Sequence, residues 1–476
     1  MEIKLLDEPI LEFGNGESIC PREGVENFSP YDITSVRPEK IITGIIGKSS
    51  SIEILINWLE KAKTTIIGKE SKLDKLFRSF NGFNQESSFK SQIVYDDSYL
   101  RKINNSDFES LLKKCTEKSV LIAEVAKLFL AEVKFLSKNK NPDLIICVLP
   151  EDLVKTLLSV DLKKEESEEE IEDSEVETKL SSLLEHDLRR LMKAEAMEYN
   201  IPIQIIRDRI KKPTSDMQDE ATIAWNLFTA LYYKASGTPW AMKKPNKSIV
   251  CYAGISFYRS RDRKTIQTSC TQIFNEHGKG VILRGAPVEL KKGDREPHLK
   301  EDQAYELLNN SLREYYDALK IYPQRLVLHK SSNFNEAEIE GFKAAAYKNN
   351  ISALDLVTIM PTPLRLYSTN NYPPYRGTWA SFDNNTHLLY TKGFVPFYNT
   401  YPGMYIPNPI EVRLFSHDES PQIICQEILS LTKMNWNNTQ FDRKFPITIE
   451  CSKKVGEILK YLDENQKPQL KYSFYM

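Results

Sequence analysis

The sequence predicts an α/β protein made of two unlike halves, and three observations carry that prediction. Its 476 residues exceed what one ordinary hydrophobic core fills. In the first half, short apolar runs of strand character alternate with longer stretches of helical period, the order of a doubly wound, Rossmann-like sheet. In the second half several strand-like runs come first and helices join later, and no internal repeat links the two halves.

Residues 1–37 are dense in Gly, Pro and Asn without helical period, and they read as a loop-rich arm. IITGIIG (41–47) is a predicted strand and SIEILINWLEKAK (51–63) a helix. Residues around 116–137 read as another helix, and DLIICVLP (143–150) as a fully buried strand. No GxGxxG accompanies them, so a dinucleotide is not indicated. KKEESEEEIEDSEVETK (163–179) is an acidic block without an apolar face, read as a solvated insertion. MKKPNKS (242–248) reads as a linker, which divides the chain into an arm (1–37), a first domain (38–241) and a second domain (242–476). Beyond it, 249–260, 262–278 and 281–286 form a predicted meander of three strands. Helices are expected at 302–320, 335–349, 422–436 and 452–462, and strands at 325–332 and 354–360.

A hydrophobic content of 41% marks a globular chain, and no apolar run approaches the length of a membrane span. The N-terminus has neither a basic nor an apolar leader region, so a cytoplasmic location is expected. The seven cysteines are scattered, with no CxxC and no nearby histidines in ligand spacing, which supports neither a disulfide framework nor a zinc site. With a net charge of −2, any binding of nucleic acid must be local rather than a matter of bulk charge.

The most informative stretch runs from His186 to Trp240. Leu184, Leu188, Leu191 and Met192 share one helical face, which leaves Arg189 and Lys193, four apart, together on the other. IPIQII (201–206) is a buried strand carrying one amide, Gln204. A second helix turns Trp225, Phe228, Leu231 and Tyr232 inward, sets Asn226, Ala230 and Lys234 on one stripe, and stops at Gly237 and Pro239. Arg189, Lys193, Gln204 and Lys234 can thus converge at one strand end, where a terminal phosphate would satisfy them. On spacing alone, a solvated basic face with a satisfied core amide is the more ordinary reading.

The order of these residues, a basic pair at i and i+4, a strand Gln eleven residues on, then W-N-x7-K-x2-G-x-P-W, resembles the 5′-phosphate pocket in the MID domain of Argonaute proteins. The opening L-x-F-G-x-G…P-R-x-G-x-x-x-F-x-P-Y-D resembles the segment before MID in prokaryotic members, and the second half resembles the RNase H-like PIWI domain. The resemblance therefore covers nearly the whole chain, as a short Argonaute of MID and PIWI alone. It implies that Lys193, Gln204 and Lys234 grip a guide phosphate, and that Arg189 contacts the phosphate or stacks on the first base. The second lysine of eukaryotic relatives is Ala230 here, so part of that charge must come from elsewhere. The C-terminal carboxylate of Met476 is expected to reach the same pocket through a bound Mg²⁺.

Cleavage by an RNase H-like centre needs carboxylates that hold two metal ions. The G-I-D-x strand of active relatives reads Gly254-Ile255-Ser256-Phe257 here. The V-x-H-x-D position reads Leu328-His329-Lys330-Ser331, and the last position falls near Ser452 in PITIECSKK. Ser256, Ser331 and Ser452 thus stand where carboxylates are expected, so no slicer activity is expected; Asp262 in a charged loop is a weak substitute. His329 with Lys330 and Ser331 reads as a strand end facing a nucleic-acid channel rather than a nucleophilic site. The segments 374–379 and 392–405 mix aromatic and basic groups able to hold bases or a partner protein. The resemblance implies a prokaryotic defence protein that binds a short guide RNA and pairs it with single-stranded target DNA. It also implies a heterodimer with an APAZ-containing effector of TIR (NADase), sirtuin-like or nuclease type. The alternatives are a nuclease with an unrecognised metal set and a generic phosphate-binding α/β protein.

Overall fold

The computed structural model describes residues 1–115, 117–154, 187–211, 218–243, 249–261, 264–274, 281–288, 296–367, 369, 372–403, 405–440, 443–462 and 466–476. The acidic block 163–179, Asp262 and most of the 242–248 linker lie outside them.

The first 37 residues are more ordered than their Gly and Pro content suggests. They form strands β1 (Glu2–Leu5), β2 (Leu11–Glu12) and β3 (Glu17–Ser18) and helix α1 (Pro21–Phe28). Pro21 opens α1, where its missing N–H costs nothing. The buried Arg22 then donates to Thr439 Oγ1 at 2.8 Å, Thr222 Oγ1 at 3.2 Å and the Leu76 carbonyl at 3.1 Å. One side chain of the arm is thereby bonded to both halves of the molecule.

The first sheet is parallel, as expected. It comprises β4 (Lys40–Gly47), β5 (Gln92–Val94), β6 (Leu100–Lys102), β7 (Leu144–Leu149) and β8 (Ile203–Arg207). The order is β5-β4-β7-β8, with β6 pairing farther along β4. Side chains alternate between two helical layers. Leu144, Ile146 and Val148 pack toward α2 (Ser49–Lys61). Ile145, Cys147 and Leu149 pack toward α4 (Lys118–Asn139), which follows α3 (Asn105–Lys114), and toward α5 (187–196). Helix α6 (Glu220–Lys234) is capped by Asp219, whose side chain accepts from Thr222 N, and it lies on the α2 side. Strand β9 (Ala241–Met242) then pairs with β2.

Among the described residues the second sheet has nine strands. Its centre is the meander β10 (Val250–Arg259), β11 (Ile266–Phe274) and β12 (Ile282–Val288), with β13 (Arg325–Lys330) and β14 (Ala353–Pro361) running parallel to β10. The order β12-β11-β10-β13-β14 is that of an RNase H-like sheet. Beyond β14 come β17 (Ile410–Ser416), β16 (Thr386–Leu389), β15 (Thr378–Ser381) and finally β1. These short outer strands are not evident in the sequence pattern. Helices α7 (Glu301–Leu319) and α8 (Glu336–Lys348) cover one face. Helices α9 (Pro421–Leu431) and α10 (Ile447–Leu459) cover the other. Helix α9 ends five residues earlier than its periodicity suggests, because Lys433 is drawn to Glu8 at 2.6 Å and to the Ile19 carbonyl at 3.1 Å. Helix α10 starts five residues earlier than expected, taking in the β-branched ITI run. Among the described residues no helix is long and apolar enough to cross a membrane.

One apolar cluster runs from Trp225 and Phe228 of α6 through Val455 and Ile458 of α10 to Tyr472, Phe474 and Met476, so the two lobes share a core. Helix α10 approaches β10 so closely that a Cβ on Gly254 would meet the Thr448 carbonyl oxygen at 2.1 Å. Gly254→Ala is expected to destabilise the fold by about 1–3 kcal/mol, as overpacking does. A urea midpoint equal to that of the parent would show that this contact does not constrain the fold.

Candidate functional site

The four residues singled out beside β8 do come together. Arg189 Nη1 donates to the Ile205 carbonyl at 3.2 Å, and Gln204 Nε2 makes a long contact of 3.5 Å to the same oxygen. The other amide atom, Gln204 Oε1, is buried without a partner. Lys193 lies one helical turn after Arg189 and is in electrostatic contact with Arg189, Lys234 and Lys454. Lys234 is 2% exposed at the end of α6, and its ammonium donates to the main-chain oxygens of Ser473 at 3.0 Å and Met476 at 2.9 Å.

Lys454, on α10 of the second lobe, was not found from the sequence. It lies 220 residues beyond Lys234, and its SKK context reads only as a helix surface. It brings a cation to the cluster, in which the Ala230 position is an apolar, buried one.

Burial, and then the neighbouring Lys234, Arg189 and Lys454, hold the Lys193 amine well below the ordinary lysine range. Burial pushes Lys234 down to about 7. Burial and the adjacent Arg209 bring Arg189 down to about 10. Lys193 has no carboxylate partner among the described residues, and the groups acting on it are all cationic. Such an arrangement is unfavourable until an anion enters it.

The three serines lie where the sheet topology gathers them. The register pairs Gly254 with His329 and Ile255 with Lys330, so Ser256 and Ser331 sit toward the same ends of adjacent parallel strands. Ser452 lies on α10, which covers that face, and it donates to the Ile449 carbonyl at 3.1 Å. Among the described residues no group of three or more His, Cys, Asp or Glu is placed to hold a metal ion.

His329 does not face an open channel. It is 0% exposed beneath α10, with Nδ1 2.8 Å from Thr448 Oγ1, and burial with the Arg325 charge takes its pKa down to about 3. Period-2 alternation puts Lys330 on the opposite face, in a buried ion pair with Glu338 at 2.6 Å. The segment 374–379 is structural in part: Arg376 is buried, paired with Glu8 at 3.1 Å and donating to Thr432 Oγ1 at 2.8 Å. A second basic patch is real, because Lys444 is held below the ordinary lysine range by burial and by Arg365, Lys392 and Lys453. Lys453 lies 4.7 Å over the ring of Phe445.

Two consequences follow for the free protein. Lys193→Met is expected to stabilise it by on the order of 1–2 kcal/mol, since it removes a desolvated charge from among like charges. Lys234 has a folded pKa of about 7 against an ordinary 10.5, so between these values the unfolded chain binds a proton that the folded one lacks. Its contribution to stability should rise with pH through that window and level off below 7. Urea midpoints at pH 7 and 9, for the parent and the variant, read both effects; a destabilised Lys193→Met would contradict this account of the cluster.

No family model matches the chain. The Argonaute of Aquifex aeolicus is 24% identical over 326 residues, which are 68% of this chain and 43% of that protein. Among solved structures, Clostridium butyricum Argonaute bound to a guide DNA and a 19-mer target DNA superposes with a TM-score of 0.66 at 16% identity. That match covers 98% of this chain and 53% of the other. Marinitoga piezophila Argonaute in complex with a 5′-OH guide RNA gives 0.57 at 14% identity, covering 100% and 59%. The chain thus spans about half the length of the proteins it matches. The chain is thus similar in sequence to an Argonaute and shares the fold of Argonaute structures over both lobes.

Proposed function

We propose that the protein is a short, MID–PIWI form of Argonaute that holds a short guide strand, RNA in this reading, by its 5′ phosphate and presents it for pairing with single-stranded target DNA. The observation that carries this reading is the Lys193 amine, desolvated and surrounded by Arg189, Lys234 and Lys454, with no acid acting on it among the described residues. A phosphate dianion is the group that turns this repulsion into binding. Arg189 and the Gln204 amide nitrogen, the latter held only by a long 3.5 Å contact to the Ile205 carbonyl, are donors its oxygens can draw on. The Arg365, Lys392, Lys444 and Lys453 patch suits the backbone of the same strand. The Marinitoga relative is recorded with a 5′-OH guide; the buried charge favours a phosphorylated one here.

Magnesium belongs to the proposal as a second counter-charge. The main-chain oxygen of Met476 is a protein donor beside the cluster, and the phosphate would supply others; the ion's chemistry there is neutralisation of phosphate charge. Chelation is expected to weaken guide binding.

In this reading the protein recognises a target without cutting it, because Ser256, Ser331 and Ser452 are neutral hydroxyls at the positions where two-metal chemistry needs carboxylates. Output then falls to a separate APAZ-containing effector in a prokaryotic defence system. Exposed Tyr405 and Ile406, at 82% and 66%, suit a protein contact.

Lys193→Ala combined with Lys454→Ala tests the pocket. At about 1.5–3 kcal/mol per charged contact, the pair should weaken a 5′-phosphorylated guide by roughly two to four orders of magnitude. A 5′-hydroxyl guide should lose far less. Equal losses for both guides would reduce the cluster to a merely basic surface.

A labelled complementary target incubated with guide-loaded protein in Mg²⁺ or Mn²⁺ should remain intact. A guide-dependent cut at one defined position would establish the nuclease reading instead.

A further inference from the structure

Helix α5 has a second polar side. Asp187 and Leu191 are two residues out of phase with Arg189 and Lys193, so they lie across the helix from the cation cluster. They line a cleft of ≈ 730 Å³ between the lobes, closed on the other side by the end of β10 and the end of α10. Its volume lies within the range of small-ligand sites, about 300–1,000 Å³.

The charges of the cleft divide into engaged and unengaged groups. Asp187 accepts from the Tyr461 hydroxyl at 2.7 Å and pairs with Arg190 at 3.5 Å, and Glu457 pairs with Arg190 as well. Two of the wall's three acids are therefore occupied, with Glu117 the remaining one. On the rim, Arg259 and Arg261 have no carboxylate within ion-pair reach among the described residues, while Lys460 lies in the field of Asp187 and Glu457 without an ion pair to either. Arg261 and Lys460 instead lie 5.3 and 5.4 Å from the centre of the Tyr461 ring. The deeper wall is apolar, formed by the buried side chains of Ile122 and Leu191.

We propose that this cleft binds a mononucleotide, its base against the apolar wall and the Tyr461–Arg261 stack, and its phosphates on Arg259, Arg261 and Lys460. An apolar floor beneath a cationic rim selects an anion with a flat, weakly polar body over a bare inorganic ion. The site is distinct from the guide pocket, since α5 separates them, and it does not depend on that pocket being a guide site.

Fluorescently labelled ATP, titrated into the full chain with polarisation as the readout, tests the assignment with and without a saturating 5′-phosphorylated oligonucleotide. Saturable binding that persists with the oligonucleotide present is expected, with unlabelled ATP competing at least tenfold better than inorganic tripolyphosphate. Arg259→Ala combined with Arg261→Ala, both on exposed side chains, should weaken ATP at least tenfold and leave binding of the oligonucleotide unchanged. Absence of saturable ATP binding, displacement of ATP by the oligonucleotide, or parental affinity in the double variant would each overturn the proposal. Stronger competition by a 5′-hydroxyl single strand than by ATP would assign the cleft to nucleic acid and overturn it too.

Discussion

The seam between the two lobes is held from inside by Lys234. Its ammonium is almost wholly buried at the end of α6, yet it donates to the main-chain oxygens of Ser473 and Met476 from the far end of the chain. Hydrogen bonds from a charged donor contribute about 1.5–3 kcal/mol each, and here they offset only part of the desolvation cost, since burial still lowers the amine's pKa. The apolar cluster through Trp225, Ile458 and Phe474 packs around that tie. Arg22 adds a second bond across the seam and the Glu8–Lys433 pair fastens the arm to the second lobe. Because the lobes are fixed in this way, Lys454 of one can stand among the cations of the other.

How much of this was legible in the sequence depended on distance along the chain. The parallel sheet was readable because LIICVL is buried on both faces and shows as an unbroken apolar run. Arg189 and Lys193 were readable because helical spacing alone puts them together. Lys454 was not, since no local pattern relates it to residues more than 200 positions earlier. Strands β15 and β16 have four residues each, too short for alternation to declare itself. His329 was misread for a related reason: a polar residue at a strand end gives no sign that Thr448 will cover it.

The two ends of the second lobe's central strands treat polarity in opposite ways. At one end Arg325 is bound by Asp355 at 2.6 Å and by Glu427 at 2.6 Å, a buried network in which one guanidinium serves two carboxylates. At the other end are Ser256, Ser331, Ser452 and a neutral His329. The first is a fixed structural joint, where removal of Arg325 leaves two buried carboxylates without their counter-charge. The second places little charge on the sheet, whereas at the seam Lys234 and Lys454 act on Lys193.

The placement of β1 has a consequence for how the chain acquires its shape. Residues 2–5 complete the nine-stranded sheet by pairing with residues 378–381, so the partners are separated by more than 370 positions. At a synthesis rate of about 5–20 residues per second, β1 waits roughly 20–75 s for its neighbour. Ile3 and Leu5 remain more than half exposed even after pairing, so throughout that interval the strand is an unprotected apolar edge. The first parallel sheet can form while β1 waits, whereas the second must finish last, and folding of the two lobes is ordered by the chain's own connectivity.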